Sequence, residues 1–208
     1  MHSRRASWLV LGCLVAAAGA AWAGLSALDG PERRLARWRE RCPPAGSFDF
    51  PVGGGTASGY YNAQPFGKNF HLGEDWNGVG GGDSDLGDPV LAIAAGVVRS
   101  TRDHGGGWGR VVRVVHDIGS PGEPVHVESL YAHLASIEVA AGDVVARGQR
   151  IGSIGNAGGR YPAHLHLELR DRVGLPLGRG YGADASGYLD PSAFIDARRN
   201  IERASPRR

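Results

Sequence analysis

With 208 residues the chain has room for one ordinary domain and a short extra segment, and that domain can bury a real core. Its 42% hydrophobic and 21% charged composition is that of a globular protein, and 34 glycines without a collagen-like period imply many turns. A formal net charge of +2, with no basic stripe interleaved with aromatics, argues against a nucleic-acid partner.

At the N-terminus, Arg4 and Arg5 precede the apolar run ASWLVLGCLVAAAGAAWA, and Ala21-Trp22-Ala23 stands before Gly24, which is the pattern of a cleaved export signal. Residues 1–23 therefore read as a signal peptide. The competing reading is an uncleaved anchor to about residue 28, because Ala6 to Leu28 is about long enough to span a bilayer as a helix. A lipid anchor on Cys13 is disfavoured, since the apolar run continues past it. Each reading puts the remainder outside the cytoplasm, in the periplasm or secreted, with membrane contact only through this segment if it is uncleaved. Cys42 is then alone in the mature chain, so no internal disulfide is available and it reads as an incidental thiol.

Residues 24–45 form a stem or linker, in which PERRLARWRER is a short helix opened by Pro31 and stopped by Cys42-Pro43-Pro44. From Gly46 to Gly82, glycine, asparagine and aromatics indicate loops and short extended pieces. The GGGD at 80–83 lacks the feeding strand and the Gly-Lys-Ser/Thr of a phosphate cradle, and reads as a flexible loop. After LGDPV come short strands rich in Val and Ile and bounded by turn residues: PVLAIAAGVVRS, GRVVRVVHD, PVHVESLYAHL, DVVARGQRIGSIG and HLHLELR. No long helical period interrupts them, so the fold class is mainly β, antiparallel sheets forming an open groove or barrel-like sandwich. A closing helical turn follows, giving a domain over residues 46–197 and a basic tail over 198–208.

In AHLHLEL, strand alternation puts His164, His166, Glu168 and Arg170 on one face and Leu165, Leu167 and Leu169 on the core face. Same-face neighbours lie about 7 Å apart, so two imidazoles can converge on one small centre. In SLYAHLASI the same rule groups Tyr131 with His133, opposite Leu130, Ala132 and Leu134. In HLGEDW, His71 and Asp75 are four apart and point the same way if the segment turns, although Gly73 and Glu74 exclude a His-Glu-x-x-His helix. Each piece alone is weak. Together they offer the imidazoles and the carboxylate of a catalytic zinc site, which takes three protein ligands and keeps a fourth position open. No Gly-x-Ser-x-Gly elbow is present and Cys42 lies apart, so covalent catalysis has no visible machinery. His104, His116 and His126 read as surface histidines. Glu168 reads equally as a residue orienting a histidine or as a solvated carboxylate, Tyr131 as a hydrogen-bonding or a packing residue, and Asn156 as a turn former.

HLGED, YAHLASIEVAAGDVVARGQRIGSIGNAGG and AHLHLEL, in that order, resemble the three signature blocks of the lysostaphin-type (LytM-domain) zinc metallopeptidases, over about residues 66–195. The resemblance implies one zinc per chain, held by His71, Asp75 and His166, with His133 and His164 unligated, handling protons and steadying the transition state. Spacing by itself leaves open which of His164 and His166 is the ligand. The implied activity is hydrolysis of amide bonds in peptidoglycan cross-links or stem peptides by a monomeric endopeptidase. The alternative is a non-catalytic regulator of another wall hydrolase, a kind that usually lacks some ligands. GDVVARGQRIGSIG also resembles a lipoyl-domain hairpin but holds no lysine to modify. The link WNGVGGGDSDL is slightly longer than is common in the family, which bears on the rim of the groove and on substrate choice. Asn62 and Asn69 are the upstream asparagines available for a latency contact with the metal.

Overall fold

The computed structural model describes residues 38–199. The export signal or anchor, the first part of the stem and most of the basic tail lie outside the described residues. Among the described residues no helix is long and apolar enough to cross a membrane. The chain forms ten strands: β1 Tyr60–Gln64, β2 Glu74–Gly78, β3 Pro89–Leu91, β4 Gly96–Asp103, β5 Arg110–Asp117, β6 His126–Ile137, β7 Val144–Val145, β8 Arg150–Ile154, β9 Leu165–Arg170 and β10 Tyr188–Leu189. Helical turn α1 is Trp38–Arg41 and helix α2 is Pro191–Asp196.

All strand pairs are antiparallel, and the main path runs β1-β2-β9-β6-β5-β4-β7 without closing, as the mainly β expectation requires. β10 adds to β9, and β8 bridges β3 and β6. The alternating valines and leucines of these strands bury one face together, with Val112 and Val114, Tyr131 and Leu134, Ile151 and Ile154, and Leu165, Leu167 and Leu169 in a single cluster. α2 closes that cluster with Ile195, after Asp190 caps the helix by accepting Ala193 N at 2.9 Å and Pro191 fixes its first turn.

β6 is the hinge of the sheet. Its residues 128–132 pair with β9, and from Leu134 onward it pairs with β8. The residue between is His133, at φ 62°, a left-handed conformation rare for a side chain of this kind. This inserts one residue against β5, where the register shifts between Arg110 and Val112. Alternation therefore inverts at the bulge, and Tyr131 and His133 do not share a face. Tyr131 is fully buried in the core, its hydroxyl accepting Ile93 N at 3.0 Å, while His133 turns to the groove. Tyr131 packs and hydrogen-bonds within the core, away from the groove.

Two further expectations change. His116 is not a surface histidine: it is 0% exposed, held between Ala95 O at 2.9 Å and Ser129 Oγ at 2.7 Å, whereas His126 is half-buried against the edge of Trp38 and His104 is exposed. The GGGD segment is not a free loop. Asp85 Oδ2 accepts Gly78 N at 2.9 Å, Gly87 N donates to Ile154 O at 2.8 Å, and Asp83 Oδ1 accepts Ala163 N at 2.7 Å, so the longer link is pinned beside His164. Cys42 donates to Val115 O at 3.3 Å and packs with Trp38, Val97 and Val115, which ties the end of the stem to the sheet.

Candidate metal centre

Register builds the centre. β2 and β9 pair so that Asp75 stands directly opposite His166, and β9 and β6 pair so that His166 stands opposite Ala132. A one-residue slip in either ladder would turn these side chains into the core. His71 reaches them from a loop, just after the turn Lys68–Phe70, in which Asn69 and Phe70 both take positive φ. The chain can come so close only because residue 73 is glycine: a Cβ there would lie 2.5 Å from Leu167 O and 2.9 Å from His166 Cε1.

Three atoms converge. His166 Nδ1 lies 2.9 Å from Asp75 Oδ1 and 3.1 Å from His71 Nε2, and His71 Nε2 lies 3.4 Å from Asp75 Oδ1. The outer nitrogens fix what these atoms carry. His71 Nδ1 must be the protonated nitrogen, because it meets the carbonyl of Gln64 at 3.1 Å; its Nε2 therefore holds a lone pair. His166 Nε2 donates to Glu168 Oε1 at 3.2 Å, leaving Nδ1 for the centre. Two imidazole nitrogens and a carboxylate oxygen pointed at one another demand a positive charge among them. A proton is one answer: burial alone would oppose charge on His166, yet the bonds to Asp75 and Glu168 outweigh it and raise its pKa to about 9. A divalent cation is the other, since zinc with bonds of about 2.0–2.2 Å holds tetrahedral ligand atoms about 3.3–3.6 Å apart, close to the observed separations. The donor set fits zinc.

Of the two readings of Glu168, the solvated one is excluded. Glu168 is 0% exposed, and its second oxygen accepts from Arg170 Nε at 2.8 Å. Arg170, also fully buried, donates to Leu175 O at 3.1 Å and faces Glu128, which binds Arg113 as well. Buried charge of both signs is thus balanced in a row running from His166 to the loop that follows β9.

His133 and His164 sit beside the centre. The rings of His133 and His164 are 4.7 Å apart and those of His133 and His166 5.6 Å. His164 meets Pro162 O through Nδ1 at 2.9 Å and faces Asp75 Oδ1 with Nε2 at 3.8 Å. Burial pushes the pKa of His133 down to about 3, with His166 and His164 adding to the effect, and its buried Nδ1 has no hydrogen-bond partner among the described residues. His71, Asp75, His133, His164 and His166 all line one groove of about 480 Å³. The sequence reading did not name the rest of its wall, notably Gln64, Trp108, Tyr161, Arg179 and Tyr181. These stand in or beside turns, where no periodic pattern marks them. Neither Asn62 nor Asn69 is among the lining residues.

The profile of Peptidase family M23 matches residues 70–177. The chain is 36% identical over 146 residues to the DD-carboxypeptidase/endopeptidase Mpg of Neisseria meningitidis serogroup B, an alignment covering 65% of this chain and 32% of that protein. It is 40% identical over 84 residues to the peptidoglycan DD-endopeptidase ShyA of Vibrio cholerae, covering 40% of this chain and 18% of that protein. The chain thus spans about a third of the first relative and under a fifth of the second. In fold it is similar to the antimicrobial peptidase lysostaphin from Staphylococcus simulans, with a TM-score of 0.50 at 20% identity, over 79% of this chain and 59% of that one. The match covers more than half of the sequence and takes in all five histidine and aspartate positions of the groove, and on that ground the chain belongs to Peptidase family M23.

Proposed function

We propose that the protein is a zinc-dependent endopeptidase acting outside the cytoplasm on amide bonds of peptidoglycan cross-links or stem peptides, with residues 46–197 as its peptidase domain. The observation that carries the reading is the convergence of His71 Nε2, Asp75 Oδ1 and His166 Nδ1 at 2.9–3.4 Å, beside a buried histidine, His133, whose Nδ1 has no hydrogen-bond partner among the described residues. His71, Asp75 and His166 would hold the metal. When bound, zinc supplies Lewis acidity and a nucleophilic water at neutral pH.

The chain's own residues divide the remaining work. His164 has its Nδ1–H engaged by Pro162 O, so Nε2 is a free proton acceptor on the Asp75 side of the centre. His133 stays neutral at working pH, since burial holds its pKa at about 3. A neutral imidazole keeps one N–H to give, and His133 spends it on the oxygen of the scissile carbonyl as negative charge develops there. The proton accepted by His164 passes to the departing amine. Glu168 keeps His166 in the tautomer that leaves Nδ1 free. The relatives' names, a DD-carboxypeptidase/endopeptidase and a peptidoglycan DD-endopeptidase, support a wall-peptide substrate.

The test is incubation of the purified protein with isolated cell-wall sacculi, with and without a chelator, and mass identification of the released muropeptides. Chelator-sensitive release of peptides cut at an amide is the expected result. A protein that carries one zinc per chain yet releases nothing would instead be a regulator of another hydrolase.

A further inference from the structure

Arg179 is the only lysine or arginine among the described residues lining the groove. The backbone on either side of it is fixed. Gly178 O accepts Trp108 Nε1 at 3.2 Å, Gly180 O accepts Leu72 N at 2.9 Å, and Tyr181 bridges to His71. Gly178 and Gly180 take φ of 71° and 77°, so the turn that presents Arg179 needs glycine on both sides. It is also close to the metal centre, since a Cβ on Gly180 would lie 4.0 Å from His166 Cε1.

Charge around this arginine is unmatched. Arg113 and Arg170 are neutralised by Glu128 and Glu168, but among the described residues no carboxylate pairs with Arg179. The one carboxylate lining the groove, Asp75, is turned to His166 and His71. An exposed guanidinium carried on this fixed backbone at the aromatic wall of the groove, with no carboxylate beside it among the described residues, is a receptor for an anion brought by the substrate. In an amide made through the α-carboxyl, the residue on the acyl side has consumed that group in the scissile bond. A free α-carboxylate beside that bond therefore belongs to the residue that supplies the nitrogen, either a terminal residue or a diamino acid joined through its second amine.

Building on the peptidase reading, we propose that Arg179 is a specificity residue that binds a free α-carboxylate on the residue supplying the scissile nitrogen, so that the groove selects acidic peptides over neutral glycyl ones.

Two cross-link peptides differing only in that group, carboxylate in one and carboxamide in the other, test the proposal in the zinc-loaded protein. A charge-assisted hydrogen bond corresponds to a preference of about tenfold or more in kcat/KM for the acid. Arg179→Ala should bring the ratio of the two peptides to near one, and Arg179→Lys, which keeps the charge without the fork, should retain part of it. Matching melting temperatures for the variants and the wild type would exclude unfolding as the cause. A wild type that cleaves both peptides equally, or a preference that survives in Arg179→Ala, overturns the subsite and leaves the peptidase reading intact. A wild type that cleaves neither peptide overturns the peptidase reading, and the subsite falls with it.

Discussion

At the scale of single residues, the proposed ligands and the histidines beside them should separate by experiment. Asp75→Ala removes one of three converging donors and should leave the purified protein without stoichiometric metal, whereas His133→Ala should keep its metal and lose turnover by about a hundredfold or more. Metal content by elemental analysis, set beside hydrolysis of sacculi, decides this, and equal metal loss in both variants would contradict the division. Glu168 acts through His166. Glu168→Gln presents either its N–H or its carbonyl to His166 Nε2 and breaks the pairing with Arg170, so metal affinity should fall about 10–100-fold. Competition with a chelator of known affinity measures that fall. Unchanged affinity would mean that Glu168 serves the fold alone.

At the scale of elements, β6 shows where simple alternation stops applying. The bulge at His133 faces the imidazole into the groove and Tyr131 into the core, at the cost of a left-handed residue of the kind found where function over-determines the backbone. The neighbouring β5 carries a consequence for acid stability. His116 is buried and neutral, and burial lowers its pKa to about 4, against 6.5 as its ordinary value. Because the folded pKa is depressed, the unfolded chain binds the proton first as pH falls. The stability contributed by neutral His116 is therefore complete above about pH 6.5 and lost progressively towards pH 4, about 3 kcal/mol in all. Urea unfolding at pH 7.5 and 4.5 should show a smaller acid-induced loss in His116→Gln than in the wild type. Equal losses would place the acid sensitivity elsewhere.

At the scale of the whole molecule, the centre joins strands from distant parts of the chain to the loop that carries His71, so a metal bound there would be linked to folding. A cation that binds the folded state alone at a hundred times its dissociation constant adds about 2.7 kcal/mol of stability. Chelation should therefore lower the melting temperature of the wild type by several degrees and leave that of Asp75→Ala unchanged, as differential scanning calorimetry would record. Much of this architecture was legible in the sequence, because strand periodicity and turn residues are local properties. The leucines of HLHLELR, the closing helical turn and the antiparallel class follow from side-chain period and backbone chemistry alone. The residue types suited to a metal could be named in the same way, and the likeness to a family assigned them roles. Only the tertiary structure decided that Asp75 faces His166, that residue 73 must lack a side chain, that Glu168 and Arg170 are buried together, and that Trp108, Tyr161, Arg179 and Tyr181 wall the groove. Register, bulges and loop docking are set by contacts between residues far apart in the chain, and such contacts leave no period in a linear sequence.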